Sequence, residues 1–434
     1  MERFSSAVLS VCLLAAIAVG QPVNPYSLSG EQLLYTDDDM DAIEQKLGLN
    51  GPQFPDWAID QPIWALKIKS NSSRYFGQWI CHQVYFEGRV SRKNIFGRTV
   101  PRQPLEPFSY KWCDCGNPGE KPLRNASAGE RIKGPPDASW KYEPAYSGEG
   151  IPNIYKIDGD ELLGLIHKER VYTKETVDGV RIDRYYAIGI AYSTDIGMTW
   201  EYCGDIILPA YDSLGDFNIN AGDCGILTVQ NCIFCSNIGG IPCIVKNDSL
   251  YIYFNESASN TNWPYPSAAA ACLDTVISHA RQHQAFPGDW RKLSADLSFS
   301  NDPLTGAGAR LPGIQLYPTP NSGQADLHSD ATFCTATGRY LLTVNETTFS
   351  THIITSLKLY SSADGITWTF EEFVAGPDST SQPYYSSIVS EYDGSADDDH
   401  FVGKQFDILY VKRRNRNDMV TDLYYRHVDA VGSE

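Results

Sequence analysis

Long apolar segments are almost absent from this sequence. The only sustained one covers residues 7–19, which falls short of the length that a transmembrane helix needs. Charged residues precede it and Gly20 follows it, a pattern typical of a secretory signal peptide. We therefore expect residues 1–20 to be a cleaved signal peptide. The mature protein is expected to be secreted and extracellular, with no membrane partner.

Positive charge is also in short supply. The chain has 35 Lys and Arg residues against 53 Asp and Glu residues, so its formal net charge is −18. A strongly acidic balance disfavours binding to nucleic acid or to anionic lipid. It also makes a strongly anionic polymer a poor substrate unless a local basic patch exists. We expect no nucleic acid among the partners.

Amphipathic helical patterns are few, and the best of them is the short stretch 38–47. Alternating strand-like segments dominate the rest, and 35 Gly and 25 Pro residues fit many turns. The sequence therefore predicts an all-β protein.

Cysteines and glycosylation motifs agree with export. Of the eleven cysteines, Cys12 falls in the signal peptide, which leaves an even number suited to disulfide bonds in an oxidising compartment. A metal site at Cys113 and Cys115 or at Cys232 and Cys235 is the open alternative. We also expect a glycoprotein, because N-x-S/T motifs occur at Asn71, Asn125, Asn247, Asn255 and Asn345.

An internal repeat organises the chain from about residue 150 to its end. The segments GIPNI at 150–154 and GIPCI at 240–244 each open a strand that leads through a tight turn into a second strand. Each unit is predicted to be a four-stranded antiparallel meander, which must stack on its neighbours to bury both faces. Residues 55–145 can supply one more unit. We predict a single five-bladed β-propeller over 55–434, after an N-terminal extension at 21–54, with a β-sandwich as the alternative.

Two turn motifs carry a family resemblance. Residues 193–200 (STDIGMTW) and 362–368 (SADGITW) are similar to the Asp-boxes of sialidases and other propellers. Together with the unit spacing, the chain resembles five-bladed propeller glycoside hydrolases of the arabinanase and fructosidase type over about residues 145–430. The resemblance implies structural turns at Asp195 and Asp364, with no catalytic role for either residue.

The strand ends supply the first candidates for chemistry. In a propeller the second strand of each unit ends on the binding face, so Glu169, Glu256 and Glu346 are expected near the pocket. Glycoside hydrolysis needs two carboxylates facing each other across the scissile bond. We predict Glu169 and His167 as catalytic residues. The other two glutamates follow glycosylation motifs, so we expect them to be exposed and assign them to substrate binding.

The third unit breaks the repeat with charged residues. Asp330 stands where two other units have Ile151 and Ile241, and His328 precedes it. A charge near the axis is costly unless it is paired, solvated or used. Asp330 and His328 are therefore predicted as a general base, as a group that modulates a pKa, or as ligands of a structural Ca²⁺ near the axis. No cofactor is expected to be required, and no metal ligands are assigned.

Acidic entry loops and a tyrosine complete the set of candidates. Asp223, at the end of an acidic linker, is predicted as a catalytic partner carboxylate. Asp60 and Tyr384 are predicted to bind substrate.

These residues predict a secreted, monomeric glycoside hydrolase that acts on a poly- or oligosaccharide with a carboxylate pair in an axial pocket. Two alternatives stay open. One is a polysaccharide lyase, with His328 or the Tyr384–Tyr385 pair as base. The other is a non-catalytic, lectin-like propeller in which aromatic residues stack on sugar rings.

Overall fold

The computed structural model describes the backbone of residues 24–36, 64–68, 73–80, 82–88, 107–114, 146–159, 161–171, 176–177, 180–194, 201–208, 232–235, 240–256, 265–304, 306–314, 324–348, 353–376, 382–390, 401–413 and 421–431. The predicted signal peptide lies outside these ranges.

Strands account for most of the described chain. The first strands are β1 (Tyr26–Leu28), β2 (Gln32–Tyr35), β3 (Trp64–Ile68), β4 (Ser73–Ile80), β5 (His82–Gly88), β6 (Pro107–Asp114), β7 (Tyr146–Asp158), β8 (Glu161–Val171), β9 (Thr176–Val177), β10 (Val180–Ser193), β11 (Glu201–Ile207), β12 (Cys232–Cys235) and β13 (Gly240–Lys246). The remaining strands are β14 (Ser249–Glu256), β15 (Tyr265–Cys272), β16 (Arg291–Leu293), β17 (Phe299–Asn301), β18 (Gln324–Asp326), β19 (Ala331–Cys334), β20 (Arg339–Thr348), β21 (Ile353–Ser362), β22 (Thr369–Ala375), β23 (Pro383–Ser390), β24 (Phe401–Val402), β25 (Gln405–Arg413) and β26 (Thr421–Ala430).

Within the described ranges, one short helix, α1 (Leu273–Ala280), and the 3-10 turn Pro287–Asp289 interrupt the strands. In the part of the chain that is described, no helix has both the length and the apolar character needed to cross a membrane.

The strands form a series of sheets that follow the chain. Sheet 1 has the order β3-β4-β5-β6, sheet 2 the order β7-β8-β10-β11 with β9 and β12 on β10, and sheet 3 the order β13 to β17. Sheet 4 has the order β19-β20-β21-β22 with β18 on β20 and β24 on β19, and sheet 5 the order β23-β25-β26-β1 with β2 on β26. Neighbouring strands are antiparallel, except for β10 with β12 and β19 with β24. The main strand order of sheets 1, 2 and 5 has the four strands predicted for a blade, whereas sheet 3 has five strands in a row and β24 adds a fifth to sheet 4. The short strands β2, β9, β12 and β18 pair with strands inside their sheets.

Sheets 2 to 5, whose side chains are largely described, pack face to face in succession. Ile252 of β14 belongs to the cluster shared with sheet 2, and the next residue, Tyr253, belongs to the cluster shared with sheet 4. A third cluster joins sheets 4 and 5 around Leu341, Phe406 and Tyr410. Each buried apolar side chain contributes about 1.5–3 kcal/mol. Because both faces of sheets 3 and 4 are covered, the arrangement is propeller-like and all-β, as predicted. Sheets 2 to 5 form four packed blades instead of the five predicted, and sheet 1 is described by its backbone pairing.

The N-terminal segment completes the last sheet. Tyr26 pairs with Ala430, so β1 becomes the outer strand of sheet 5. Arg426 of β26 donates hydrogen bonds to the Ser29 carbonyl at 2.6 Å and to the Val374 carbonyl at 2.8 Å, which joins β1, β26 and β22. Part of the predicted extension 21–54 is therefore built into the propeller sheets.

The turn between β21 and β22 is stabilised by side chains of its own residues. Asp364 Oδ1 accepts hydrogen bonds from the Ile366 and Thr367 N–H groups at 2.8 and 2.7 Å. Trp368 is buried, and its ring meets the Tyr253 ring edge-on at 5.5 Å. The carboxylate satisfies the turn and the indole fills the space between sheets 3 and 4, so Asp364 has a structural role. Residue 195 lies outside the described residues.

Four of the described cysteines are not in disulfide bonds, contrary to the expectation from the sequence. Cys203, Cys243, Cys272 and Cys334 are unpaired. Cys243 is buried in the core between sheets 2 and 3, whereas Cys334 is buried in the core between sheets 4 and 5. A disulfide would need the two residues to be neighbours. The predicted disulfide bonds therefore do not include these four cysteines, and the side chains of the others lie outside the described residues.

Candidate active site

Three inner strands, β7, β13 and β23, share an irregularity at the end where they enter their sheets. One extra residue lies between Gly240 and Cys243 of β13, relative to the partner strand. The same shift occurs in β7 and in β23. Ile241 and Tyr385, which lie within these bulges, have positive φ values of 79° and 52°. A bulge bends the strand and re-aims its side chains, and strained non-glycine backbone of this kind is concentrated at functional sites.

Sheet 4 replaces the bulge with a short loop. β18 ends at Asp326 and β19 resumes at Ala331, and the loop between them contains His328 and Asp330. Asp330 directly precedes the first paired residue of β19. The residue in that place in β13 is Pro242, so the sequence comparison with Ile241 was one residue out of register.

The Asp330 carboxylate connects three sheets. Its Oδ1 accepts hydrogen bonds from Asn153 Nδ2 of β7 at 3.0 Å and from the Ala331 N–H at 2.8 Å. Its Oδ2 accepts a hydrogen bond from the Ile388 N–H of β23 at 2.9 Å. An ionised carboxylate has about four lone-pair positions, so these donors occupy most of its capacity.

Burial and hydrogen bonding act on Asp330 in opposite directions. Burial raises the pKa of the carboxyl from 3.8 to about 6, although the N–H donors of Ile388, Asn153 and Ala331 favour the ionised form. The group can therefore gain or lose a proton in mildly acidic conditions.

Two of the predicted histidines lie next to each other, one on β8 and one in the loop that contains Asp330. The His167 ring of β8 lies 6.0 Å from the His328 ring, measured between centroids. The His328 ring in turn meets the Tyr385 ring edge-on at 5.6 Å. His167 is only 2% exposed, whereas His328 and Tyr385 are half-buried. The structure thus brings together three of the predicted residues, His167, His328 and Asp330, from two sheets.

Tyr384 lies behind this cluster. It is buried, its ring meets the Tyr385 ring at 4.4 Å, and its hydroxyl accepts a hydrogen bond from Arg413 Nε at 3.1 Å. The predicted substrate-binding role does not fit a buried phenol, and Tyr385 is the more accessible of the pair. Sequence reasoning missed Arg413, although it occupies the strand-end position of the fourth unit, where the other units have Glu169, Glu256 and Glu346.

Hydrogen bonds from residues of sheets 4 and 5 fix the position of the His328–Asp330 loop. Asn345 Nδ2 donates a hydrogen bond to the His328 carbonyl at 3.2 Å. The Thr343 N–H donates to the Asp330 carbonyl at 3.0 Å, and Ser386 Oγ donates to Thr343 Oγ1 at 2.8 Å. The loop is therefore fixed by its own sheet and by the neighbouring sheet.

Glu256 does not lie at a binding surface, contrary to expectation. It is fully buried, and its Oε2 lies 2.7 Å from Lys292 Nζ and accepts the Gly308 N–H at 3.0 Å. Lys292 Nζ also donates to the Leu208 carbonyl at 2.7 Å. The physical reason is that a carboxylate between packed sheets needs a charge partner, and Lys292 supplies it. The predicted exposure and substrate-binding role of Glu256 are wrong.

Glu346 repeats this arrangement in sheet 4. It is buried, accepts a hydrogen bond from Ser356 Oγ at 2.7 Å and lies 2.9 Å from Lys358 Nζ. Its predicted exposure is also wrong, since strand pairing with β21 covers it and Lys358 neutralises it. Both glutamates are structural ion-pair partners.

Three predicted residues remain without described side chains. Glu169 lies on β8 opposite Gly148 and Tyr186, two residues beyond His167. Asp223 and Asp60 fall outside the described residues. Their assigned roles stay predictions.

The predicted calcium ion does not fit the described part of the axial cluster. Calcium takes 6–8 oxygen ligands. Asp330 already accepts three N–H donors, and His167 and His328 offer nitrogen. Within the described residues, no three His, Cys, Asp or Glu side chains are grouped to hold a metal ion.

The chain is thus an all-β protein with a propeller-like arrangement and a polar cluster at the axial end of its inner strands. No protein-family model and no curated protein matches the chain.

Among solved structures, the chain is similar to the catalytic domain of an α-L-arabinofuranosidase from Coprinopsis cinerea, with 9% identity, 94% of this chain and 98% of that chain covered, and a TM-score of 0.42. It is also similar to an α-L-arabinanase from Penicillium chrysogenum complexed with arabinobiose, with 8% identity, 93% and 99% coverage, and a TM-score of 0.40. An N-acetylgalactosamine deacetylase from F. plautii in complex with blood group B trisaccharide matches with 11% identity, 92% and 95% coverage, and a TM-score of 0.40. The resemblance to propeller glycosidases is thus also found in the structure comparison, but similarity at this level identifies neither substrate nor reaction.

Proposed function

We propose that this chain is a secreted glycoside hydrolase whose active site lies at the axial end of the inner strands. The observation that carries the proposal is the meeting of the His167 ring with the His328 ring, in the loop that also contains Asp330, and of His328 with Tyr385 of a bulged strand. Titratable groups that meet at a strained, partly buried position are candidates for acid–base chemistry.

Asp330 supplies the first carboxylate of the proposed pair. Three N–H donors fix its orientation, and its raised pKa suits a group that exchanges a proton near the substrate. Glu169, two residues beyond His167 on β8, is proposed as the second carboxylate, with Asp223 as the other candidate. His167 and His328 orient the carboxyl groups or contact the sugar.

The finer features of the fold belong to the same proposal. We propose that sheet 1 is a fifth blade, because β3, β4 and β5 lie next to the inner strand β7 of sheet 2. The substrate is an oligo- or polysaccharide, the protein is a monomer, and no cofactor is required. The matches to an arabinofuranosidase and an arabinanase make arabinan and arabino-oligosaccharides the first substrates to test.

A specific contact favours a polysaccharide lyase as the second candidate. His328 and Tyr385 are in edge-to-face contact, and Arg413 lies behind them with its guanidinium 5.4 Å from the Tyr384 ring centroid. A lyase would use His328 or Tyr385 as base and a cation to neutralise a uronate. The overall negative charge of the chain weighs against such a substrate.

The test is turnover of neutral oligosaccharides and of uronate polymers by the full chain and its variants. A hydrolase releases reducing ends, and Asp330→Asn or Glu169→Gln should lower that rate by orders of magnitude. A lyase releases an unsaturated product that absorbs in the ultraviolet.

Controls separate chemistry from folding. Asp296→Asn changes an exposed carboxylate on an outer turn of sheet 3 and should leave turnover unchanged. His328→Gln provides a second site variant in case Asp330→Asn fails to fold. Near-normal hydrolysis by folded Asp330→Asn and His328→Gln proteins would end the assignment, and glycan binding without any product would favour the lectin-like alternative.

A further inference from the structure

The structure separates the described glycosylation motifs into accessible and inaccessible ones. We propose that Asn247 carries an N-linked glycan and that Asn255 and Asn345, which have the same motif, stay unmodified. This inference concerns a modification site and stands apart from the proposed hydrolase activity.

Asn247 lies at the tip of a hairpin. Lys246 pairs with Ser249, so Asn247 and Asp248 form the two-residue turn between β13 and β14. Their φ values are 47° and 60°, the left-handed values that this turn type requires. Asn247 is exposed at this turn. An exposed asparagine in a tight turn can accept a bulky, hydrated group without displacing any core residue.

The turn is fixed on both sides. Lys246 Nζ donates a hydrogen bond to the Asp364 carbonyl at 2.6 Å, which ties the turn to the β21–β22 turn of sheet 4. The Leu273 N–H donates to the Asp248 carbonyl at 2.9 Å. These bonds use the backbone of the turn and the lysine side chain, so the Asn247 side chain does not hold the turn together.

The other two motifs lie inside the structure. Asn255 and Asn345 are both 0% exposed, each on the second strand of its sheet between packed neighbours. Asn345 Nδ2, the atom that a glycan would occupy, donates a hydrogen bond to the His328 carbonyl. A glycan on either residue would force sheets apart, so the folded protein cannot contain one there.

The modification itself is an ordinary group transfer. The Asn247 Nδ2 atom forms a bond to the anomeric carbon of an oligosaccharide carried on a lipid diphosphate. The bond from that carbon to the diphosphate oxygen breaks, the lipid diphosphate leaves, and the nitrogen gives up one proton to it. The donor and its transferase are supplied by the secretory pathway that the N-terminal segment predicts.

The glycan would stand at the end of the molecule opposite the candidate active site. Strand β13 starts at Gly240, where the backbone passes so close to the Leu327 carbonyl that a Cβ atom would clash with it, and ends at Lys246. Seven residues at about 3.3 Å each place Asn247 roughly 20 Å from the His328 loop. A glycan there leaves the axial site open.

The test is secretion of the full chain, with its own N-terminal segment, from eukaryotic cells. The secreted protein is treated with peptide N-glycosidase in heavy-oxygen water, which converts each glycosylated Asn into labelled Asp, and the peptides are identified by mass. We expect label at Asn247 and none at Asn255 or Asn345. Asn71 and Asn125 give separate peptides and do not affect this result.

A matched pair of variants checks the assignment. Ser249→Ala destroys the motif and should remove one glycan from the intact mass, whereas Ser249→Thr preserves the motif and the glycan. Three results would overturn the proposal. The first is an unlabelled Asn247 in the secreted chain, and the second is label at Asn255 or Asn345 in folded protein. The third is a chain that enters no secretory compartment and carries no glycan.

Discussion

The Asp330 carboxylate accepts the Ile388 N–H at 2.9 Å, and this bond joins the inner strands of sheets 4 and 5. Its other oxygen reaches Asn153 on sheet 2. Asp330, which the sequence predicts as a catalytic residue, therefore also connects three sheets by hydrogen bonds. Its effects on catalysis and on stability can be measured separately.

The first prediction concerns pH and Asp330. Because its folded pKa is raised to about 6 from an ordinary 3.8, the native state retains the proton at pH values where the unfolded chain has lost it. The contribution of Asp330 to the free energy of unfolding should fall as pH rises from about 4 to 6, by about 3 kcal/mol in total. Asp330→Asn cannot titrate, so its stability deficit relative to the parent should shrink over that range.

Denaturant unfolding of both proteins at several pH values measures this difference. The deficit of Asp330→Asn relative to the parent should be largest near pH 4 and smaller by about 3 kcal/mol above pH 6. A deficit that is constant with pH would show that Asp330 does not titrate as described.

The second prediction concerns the buried Glu256–Lys292 pair. Lys292→Met leaves a buried carboxylate without its charge partner and should lower the free energy of unfolding by about 3–5 kcal/mol. The double variant Glu256→Leu with Lys292→Met removes both charges and should recover most of that loss. Thermal unfolding measures both variants, and equal destabilisation of the single and double variants would contradict the pairing.

The third prediction concerns the closure of sheet 5. Arg426 donates to the carbonyls of Ser29, Phe373 and Val374, so Arg426→Gln should lower the free energy of unfolding by about 1–3 kcal/mol. Limited proteolysis should then cut near residues 26–36 sooner than in the parent protein. Arg310→Gln provides the control, because this exposed arginine lies in the segment that follows β17, far along the chain from β1. Identical cleavage in both variants would argue against the closure role.

The fourth prediction concerns thiol reactivity. Cys272 is exposed at the start of α1, and hydrogen bonding from Thr275 lowers the pKa of its thiol. Burial raises the pKa of the Cys203 thiol to about 12. Cys243 and Cys334 are buried in the core, where a reagent in solution does not reach them. Iodoacetamide should modify Cys272 in the native protein and the other three only after denaturation, as peptide masses will show. Native labelling of Cys243 would contradict the packing.

The general fold could be predicted from sequence because the repeat is local. A turn motif such as the one around Asp364 and the alternating strands specify one unit, and a unit with two apolar faces must stack. The closing strand could not be predicted, since Tyr26 and Ala430 are far apart in the sequence and nothing in the repeat marks three residues as an outer strand.

The candidate site could be predicted only in part. Asp330 and His328 were visible because they interrupt an otherwise apolar pattern. Glu256 and Glu346 were misassigned, because a glutamate that is buried with a lysine has the same sequence signature as one at a pocket rim. The lysines that neutralise them, Lys292 and Lys358, follow at different spacings, so only the packed structure identifies the pairs.

Pairing of β1 with β26 also limits the order in which the sheets can form during synthesis. During synthesis β1 leaves the ribosome long before its partner, and for that time Tyr26 has no strand to join. Sheets 2 to 4 can assemble in sequence as they emerge, whereas sheet 5 waits for the strand that ends at Ala430. Sheet 5 can therefore be completed only after the strand that ends at Ala430 has been synthesised.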